Sequence, residues 1–208
     1  MSDDVTTSNT TAREARFNRL AFFLALAALA IAAVAILFAG EGLFRTGDRN
    51  ATDGQRTAAR LPSSGPAPGV GDTALAFEVQ NVDGETVRLS DHLGQPVILN
   101  FWASWCAPCR VEMPALQALY EEHEDQGLVI LALNQNESEQ TAERFFFQEM
   151  GLTFAVPLLD EQFGVAEKYG VRNLPTTIFI DEAGTVTAIH RGPAVQSQFE
   201  EMLAQTLR

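Results

Sequence analysis

The sequence predicts an α/β domain at the end of a chain that begins with a leader and a membrane anchor. Three observations carry this. From about residue 72 onward, short apolar runs alternate with segments of helical periodicity. Two of those runs, PVILNFWA (96–103) and LVILALN (128–134), are apolar throughout, as strands covered on both faces are. Residues 20–39, LAFFLALAALAIAAVAILFA, contain no charge.

The elements follow in order. Residues 1–19 are polar and rich in Ser, Thr and Asn, which predicts a disordered cytoplasmic leader. The uncharged run spans the ~30 Å hydrocarbon core at a rise of ~1.5 Å per residue, so a transmembrane anchor is predicted over 20–40. Arg13, Arg16 and Arg19 precede it and favour a cytoplasmic N-terminus. A cleavable signal peptide is the competing reading, but its apolar region is usually about 7–15 residues long, and FAGEGLF is a poor cleavage sequence. Either way the rest of the chain is delivered outside the cytoplasm. Residues 41–71 end in LPSSGPAPGVG and predict a flexible linker.

The domain is predicted over 72–208. LAFEVQ (75–80) and TVRLS (86–90) alternate apolar and polar around Asp83-Gly84, a hairpin signal. The strand 96–103 follows, then a helix over 107–125 with Val111, Ala115, Leu116, Leu119 and Tyr120 at helical spacing. After the strand 128–134, Ala142, Phe145, Phe146 and Met150 mark a helix capped by Ser138 and stopped by Gly151. A strand at 155–160 and a short helix near 163–169 come next. TTIFID (176–181) and TVTAIH (185–190) predict a second hairpin, and a last helix starts near Ser197.

Composition narrows the function. A hydrophobic content of 46% supports a sizeable core. The net charge is −13, and from Gly69 onward 7 basic residues face 21 acidic ones. Nucleic-acid binding needs clustered Lys and Arg, so that class is excluded.

Both cysteines of the chain lie in NFWASWCAPCRVEMPAL (100–116). Cys106 and Cys109 stand at the start of the predicted helix, where unpaired N–H groups and the helix dipole favour a negative charge. That setting lowers a thiol pKa, to roughly 3.5–7.5, and the thiolate is the form that attacks a disulfide. Cys106 is thus the predicted nucleophile. Cys109, one turn on and facing the core, is the predicted resolving thiol. Pro108 is tolerated in a first turn and removes an N–H there. A zinc site is disfavoured: no third cysteine exists, and His92, His123 and His190 are far apart in sequence. A disulfide closing so small a loop stabilises little, which argues against a purely structural role. Trp102 and Trp105 flank the pair directly after a buried strand.

FWASWCAPC resembles the thioredoxin superfamily. With PGVGDTALAFEVQNVDGETVRLSDHLGQPVILNFWASWCAPCRVEMPAL, ALNQNES and NLPTTIFIDEAGTV, residues 68–208 resemble the membrane-anchored TlpA/ResA/DsbE-type thiol–disulfide oxidoreductases. The resemblance implies a thioredoxin fold with an added N-terminal β-hairpin, and the same roles for Cys106 and Cys109. It implies a cis-proline at Pro175, with Leu174 pairing to a bound peptide by strand addition and Trp105 at the substrate surface. Ordinary thioredoxins carry a buried Asp where this chain has Asn100. The related anchored proteins have Glu at the position of Glu112, three residues after Cys109. Glu112 is therefore expected to be partly buried, with a raised pKa, and to accept the proton of Cys109; a surface helix glutamate is the alternative. Trp102, Pro108 and Asn100 are expected to be structural neighbours of the site, and Pro114 to kink the helix. No cofactor beyond the Cys106–Cys109 disulfide, and no metal, is expected.

The implied activity is extracytoplasmic reduction of specific protein disulfides, apocytochrome c among them, with electrons from a membrane donor of DsbD/CcdA type. The implied location is the cytoplasmic (inner) membrane, single-pass, with the catalytic domain on the periplasmic side. Net oxidation, general thiol reduction and copper-centre assembly are alternatives of the same chemistry. A binding module without turnover is disfavoured by the intact Cys106, Cys109 and Pro175. A single-cysteine peroxidase is disfavoured by the Trp-Cys-x-x-Cys setting.

Overall fold

The structure, a computed structural model, describes residues 61–208. The leader, the anchor and the linker up to residue 60 lie outside the described residues. Among the described residues no helix is long and apolar enough to cross a membrane.

Along the chain run β1 (Glu78–Asn81), β2 (Thr86–Arg88), β3 (Val97–Trp102), α1 (Ala107–His123), β4 (Val129–Gln135) and α2 (Glu139–Glu143). After these come β5 (Leu158–Asp160), α3 (Gly164–Lys168), β6 (Thr176–Ile180), β7 (Val186–Arg191) and α4 (Gln196–Thr206). The seven strands form one sheet in the order β2-β1-β5-β4-β3-β6-β7. β3, β4 and β5 are parallel, while β6, β7, β1 and β2 join antiparallel. Parallel neighbours need crossover segments that cover the faces of the sheet.

Those covers explain the continuous apolar runs. Side chains of β3 alternate between faces. Ile98 and Trp102 join Met113, Leu116, Phe145, Phe146 and Phe199 in one core layer. Val97, Leu99 and Phe101 join Leu75, Phe77, Leu89, Val165 and Tyr169 in the other. Asn100 has the same parity as Ile98 and Trp102, so it faces α1. The antiparallel β3–β6 register places it opposite Thr177.

Four local differences from the sequence expectations have physical causes. Val111 is 73% exposed, because Cys109, Glu112, Met113, Leu116 and Leu119 form the inward face of α1 and Val111 lies off that stripe. The segment expected as a single helix after Ser138 widens into a π-helical stretch at Arg144–Glu149. There Phe145 stacks on Trp102 at 5.3 Å between ring centroids and Phe146 tilts against it at 5.7 Å. The first strand starts at Glu78 rather than 75, although Leu75 and Phe77 remain buried. The end of the expected linker is part of the packed domain: Leu61 is buried, and Pro62 O accepts from Ala76 N–H at 2.7 Å. Gly71 N–H donates to Val186 O at 2.8 Å. Gly184 makes room for this, since a Cβ there would stand 2.9 Å from Leu61 and its φ is +85°.

Candidate active site

β3 delivers the site. After Trp102 the chain turns, Cys106 N–H donating to Ala103 O at 3.1 Å, and α1 starts at Ala107. Cys106 is the N-cap residue of α1, with extended φ/ψ, and its sulfur accepts from the Cys109 N–H at 3.2 Å. A sulfur here takes the place usually given to a Ser or Asp oxygen, at the end of the helix that favours negative charge. Pro108 sits in the first turn, where no N–H partner is lost. Cys106 and Cys109 are joined as a disulfide. Cys109 is fully buried and Cys106 is 4% exposed. Pro114 lies inside α1.

The loop before β6 forms the opposite side. Leu174–Pro175 is a cis peptide. A groove of about 750 Å³ runs between Trp105 and Cys106 on one wall and Phe163, Arg172 and Leu174 on the others. Trp105 is 69% exposed at its rim. Phe163 and its neighbour Gln162 both adopt the left-handed backbone region, at φ 59° and 56°. The first turn of α3, pinned to the end of β5, holds them there. Asp160, buried, accepts from Val165 N–H and Ala166 N–H, both at 2.8 Å, and from Gln135 Nε2 at 3.0 Å. Trp102 is fully buried beside Phe145, away from the groove.

One turn after Cys109 on the same inward face of α1 lies Glu112, fully buried. Asn100 Nδ2 donates to Glu112 Oε1 at 2.7 Å and to Thr177 Oγ1 at 3.1 Å. Burial raises the Glu112 pKa from 4.5 to about 7, and the Asn100 amide and the Ala194 backbone N–H pull it part of the way back. Glu112 Oε2 makes no well-aligned hydrogen bond among the described residues. A carboxyl group with a pKa near neutral and an oxygen to spare can take up or give back a proton at physiological pH. Asn100, by contrast, does not ionise: its amide Nδ2 donates, and its Oδ1 is buried without a partner among the described residues.

Two partners of this arrangement carry no role in the sequence reading. Thr177 is found only through the β3–β6 register. Glu137 lies on the loop after β4, in the motif ALNQNES. It accepts from Ser104 N–H at 2.7 Å, from the Ser104 hydroxyl, and from Asn134 Nδ2 at 2.8 Å. Among the described residues no group of three or more His, Cys, Asp or Glu side chains could hold a metal.

A Cys-x-x-Cys disulfide at a helix start, beside a cis-proline loop and one turn from a buried carboxyl, makes the chain a thiol–disulfide oxidoreductase with a thioredoxin-like fold. It belongs to the AhpC/TSA family, whose profile matches residues 70–189. Its relatives are of the ResA and DsbE type. The thiol-disulfide oxidoreductase ResA of Halalkalibacterium halodurans is 39% identical over 133 residues, which cover 64% of this chain and 74% of that protein. The thioredoxin-like protein YneN of Bacillus subtilis is 38% identical over 135 residues, 64% of this chain and 78% of that one. Among solved structures, a Chlorobium tepidum protein assigned as the thiol:disulfide interchange protein DsbE superposes with a TM-score of 0.62 at 30% identity, over 67% of this chain and 99% of that one. StoA of Bacillus subtilis superposes with a TM-score of 0.54 at 28% identity, over 65% and 99%.

Proposed function

We propose that this chain is a membrane-tethered, extracytoplasmic reductase of specific protein disulfides, with the disulfide of apocytochrome c before haem attachment as its leading substrate. The observation that carries the specificity is the seat of the nucleophile. Cys106 is 4% exposed and lines the groove between Trp105 and Leu174, so a substrate disulfide is best presented on a segment that fits there. The uncharged run at 20–39 supplies the tether, with the domain on the periplasmic side of the inner membrane.

The cycle starts from the dithiol. The Cys106 thiolate attacks one sulfur of the substrate disulfide, that S–S bond breaks, and one substrate thiolate leaves. Cys109 passes its proton to Glu112 Oε2 and attacks Cys106 Sγ. The mixed disulfide breaks, the second substrate thiolate leaves, and the two departing sulfurs are protonated from Glu112 and solvent. The substrate gains two electrons and the Cys106–Cys109 pair loses two. Leu174 lines the backbone path of the bound peptide. A membrane dithiol donor of DsbD/CcdA type then reduces the pair by the same two exchanges, which a tether favours by raising the local concentration of both partners.

The test is a trap. With Cys109→Ala, the mixed disulfide on Cys106 cannot resolve, and proteins captured in the source cell are identified after reduction. Cytochrome c precursors are the expected catch. A broad set of exported proteins refutes the specific reading in favour of general reduction or oxidation, and copper-centre proteins would move the substrate to metal-site assembly.

A further inference from the structure

We infer that Glu137 is a positioning residue for the nucleophile: its carboxylate latches the loop that carries Cys106, and the latch matters most when the disulfide is open. The inference rests on the exchange chemistry alone and is independent of which protein is the substrate.

Four residues, Ala103 to Cys106, link the end of β3 to the start of α1. Trp105 at the tip is 69% exposed. The loop is closed within itself by the Cys106 N–H to Ala103 O bond. Its outside tie is Glu137. One oxygen, Oε2, takes the Ser104 N–H at 2.7 Å and Asn134 Nδ2 at 2.8 Å, while Oε1 takes the Ser104 hydroxyl. Among the described residues no other side chain from outside the loop hydrogen-bonds Ser104 or Trp105. Asn134 is itself fixed, buried at the end of β4 directly opposite Trp102 in the parallel β3–β4 register. Glu137 thus ties the active-site loop to the central sheet through a buried strand residue. Hydrogen bonds to a carboxylate are roughly twice as strong as neutral ones, and two acceptor oxygens grip both donors of one serine.

The two redox forms need this latch differently. In the oxidised form the Cys106–Cys109 bond ties the nucleophile to α1. In the dithiol that bond is gone, and Cys106 must hold its sulfur in line with a substrate S–S bond on its own. Misplacement of a reacting atom by 1 Å costs about 100-fold in rate. The reduced protein attacking a disulfide should therefore depend on Glu137, whereas an outside thiol attacking the enzyme disulfide should not.

The experiment measures both half-reactions on the full-length protein. The first is reduced protein with dithiobis-nitrobenzoate, read as release of the coloured thiolate. The second is oxidised protein with dithiothreitol, read by tryptophan fluorescence. For Glu137→Ala, the first is expected to slow about tenfold and the second by less than about twofold. Glu137→Gln keeps one acceptor and should recover most of the loss. The pH midpoint of the first reaction should stay in place while its plateau falls. Equal slowing of both half-reactions would mean a merely structural residue and would overturn the inference. So would unchanged rates, or a moved midpoint with an intact plateau, which would make the carboxylate act by charge. Should Glu137→Ala not fold, Ser104→Ala decides in the same assay. It removes only the hydroxyl donor, so a selective loss of about threefold supports the latch and no loss refutes it.

Discussion

Glu112→Gln removes one ionisable proton from the floor of the site and keeps the shape. Gln can still accept from Asn100 Nδ2 through its Oε1, as Glu112 does at 2.7 Å. The size of the effect comes from linkage. The pKa of Glu112 is raised from 4.5 to about 7 on folding. The folded chain therefore holds a proton that the unfolded chain has released between those values, and stability is lost as pH rises through that window. At 1.36 kcal/mol per unit, 2.5 units come to about 3 kcal/mol, fully lost above about pH 7. Glu112→Gln never pays that ionisation penalty. Its stability relative to the parent is expected to grow by about 3 kcal/mol between pH 4 and pH 8. With a urea slope of roughly 1–3 kcal/mol per molar, the midpoints separate by one molar or more. Urea unfolding of the oxidised protein, followed by the fluorescence of buried Trp102, measures this directly. A difference between the two proteins that is flat with pH would refute both the buried acid and its assignment as the proton acceptor. The same variant should slow reduction of substrate disulfides, because Cys109 loses its base.

The same geometry sets three further outcomes. Asn100→Leu removes the donor that holds the Glu112 pKa down, so that pKa should climb above about 7; a downward shift in a carboxyl NMR titration would contradict the burial argument. Tyr169→Phe deletes the hydroxyl that donates to Leu75 O at 2.6 Å, and should cost about 1–2 kcal/mol by thermal unfolding, with no change in exchange rate. Asp160→Ala strips the acceptor from Val165 N–H, Ala166 N–H and Gln135 Nε2. A loss of about 2–3 kcal/mol is expected, along with a raised KM for peptide disulfides as the Phe163 wall shifts; an unchanged KM would detach that wall from substrate binding.

Much of the site is legible in residue order because its parts are local. The cysteines, Pro108 and Glu112 share one helix, and helical spacing alone puts 109 and 112 on the same side. The family resemblance, not spacing, marks Asn100 as a neighbour of the pair, and the strand parity of β3 explains why it meets Glu112. Glu137 is illegible for the opposite reason. It reaches Ser104 across 33 positions, and only the β3–β4 register brings the two together. The left-handed pair Gln162 and Phe163 carries no signal either, since neither residue type favours that conformation and the cause is the buried Asp160 nearby. Val111 misleads because an apolar residue at helical spacing fits two adjacent stripes, and only packing decides which one faces inward. The composition of LPSSGPAPGVG suggests a spacer, yet a few backbone hydrogen bonds and one buried leucine suffice to lay it against the sheet.

Buried Leu61 limits where the polypeptide can be severed. Proteolysis between 61 and 72 would take away the carbonyl that Ala76 hydrogen-bonds and empty the hollow over Gly184 that Leu61 fills. Shedding an intact, active domain therefore demands a scissile bond upstream of Leu61, eleven residues ahead of the point where the amino-acid composition changes.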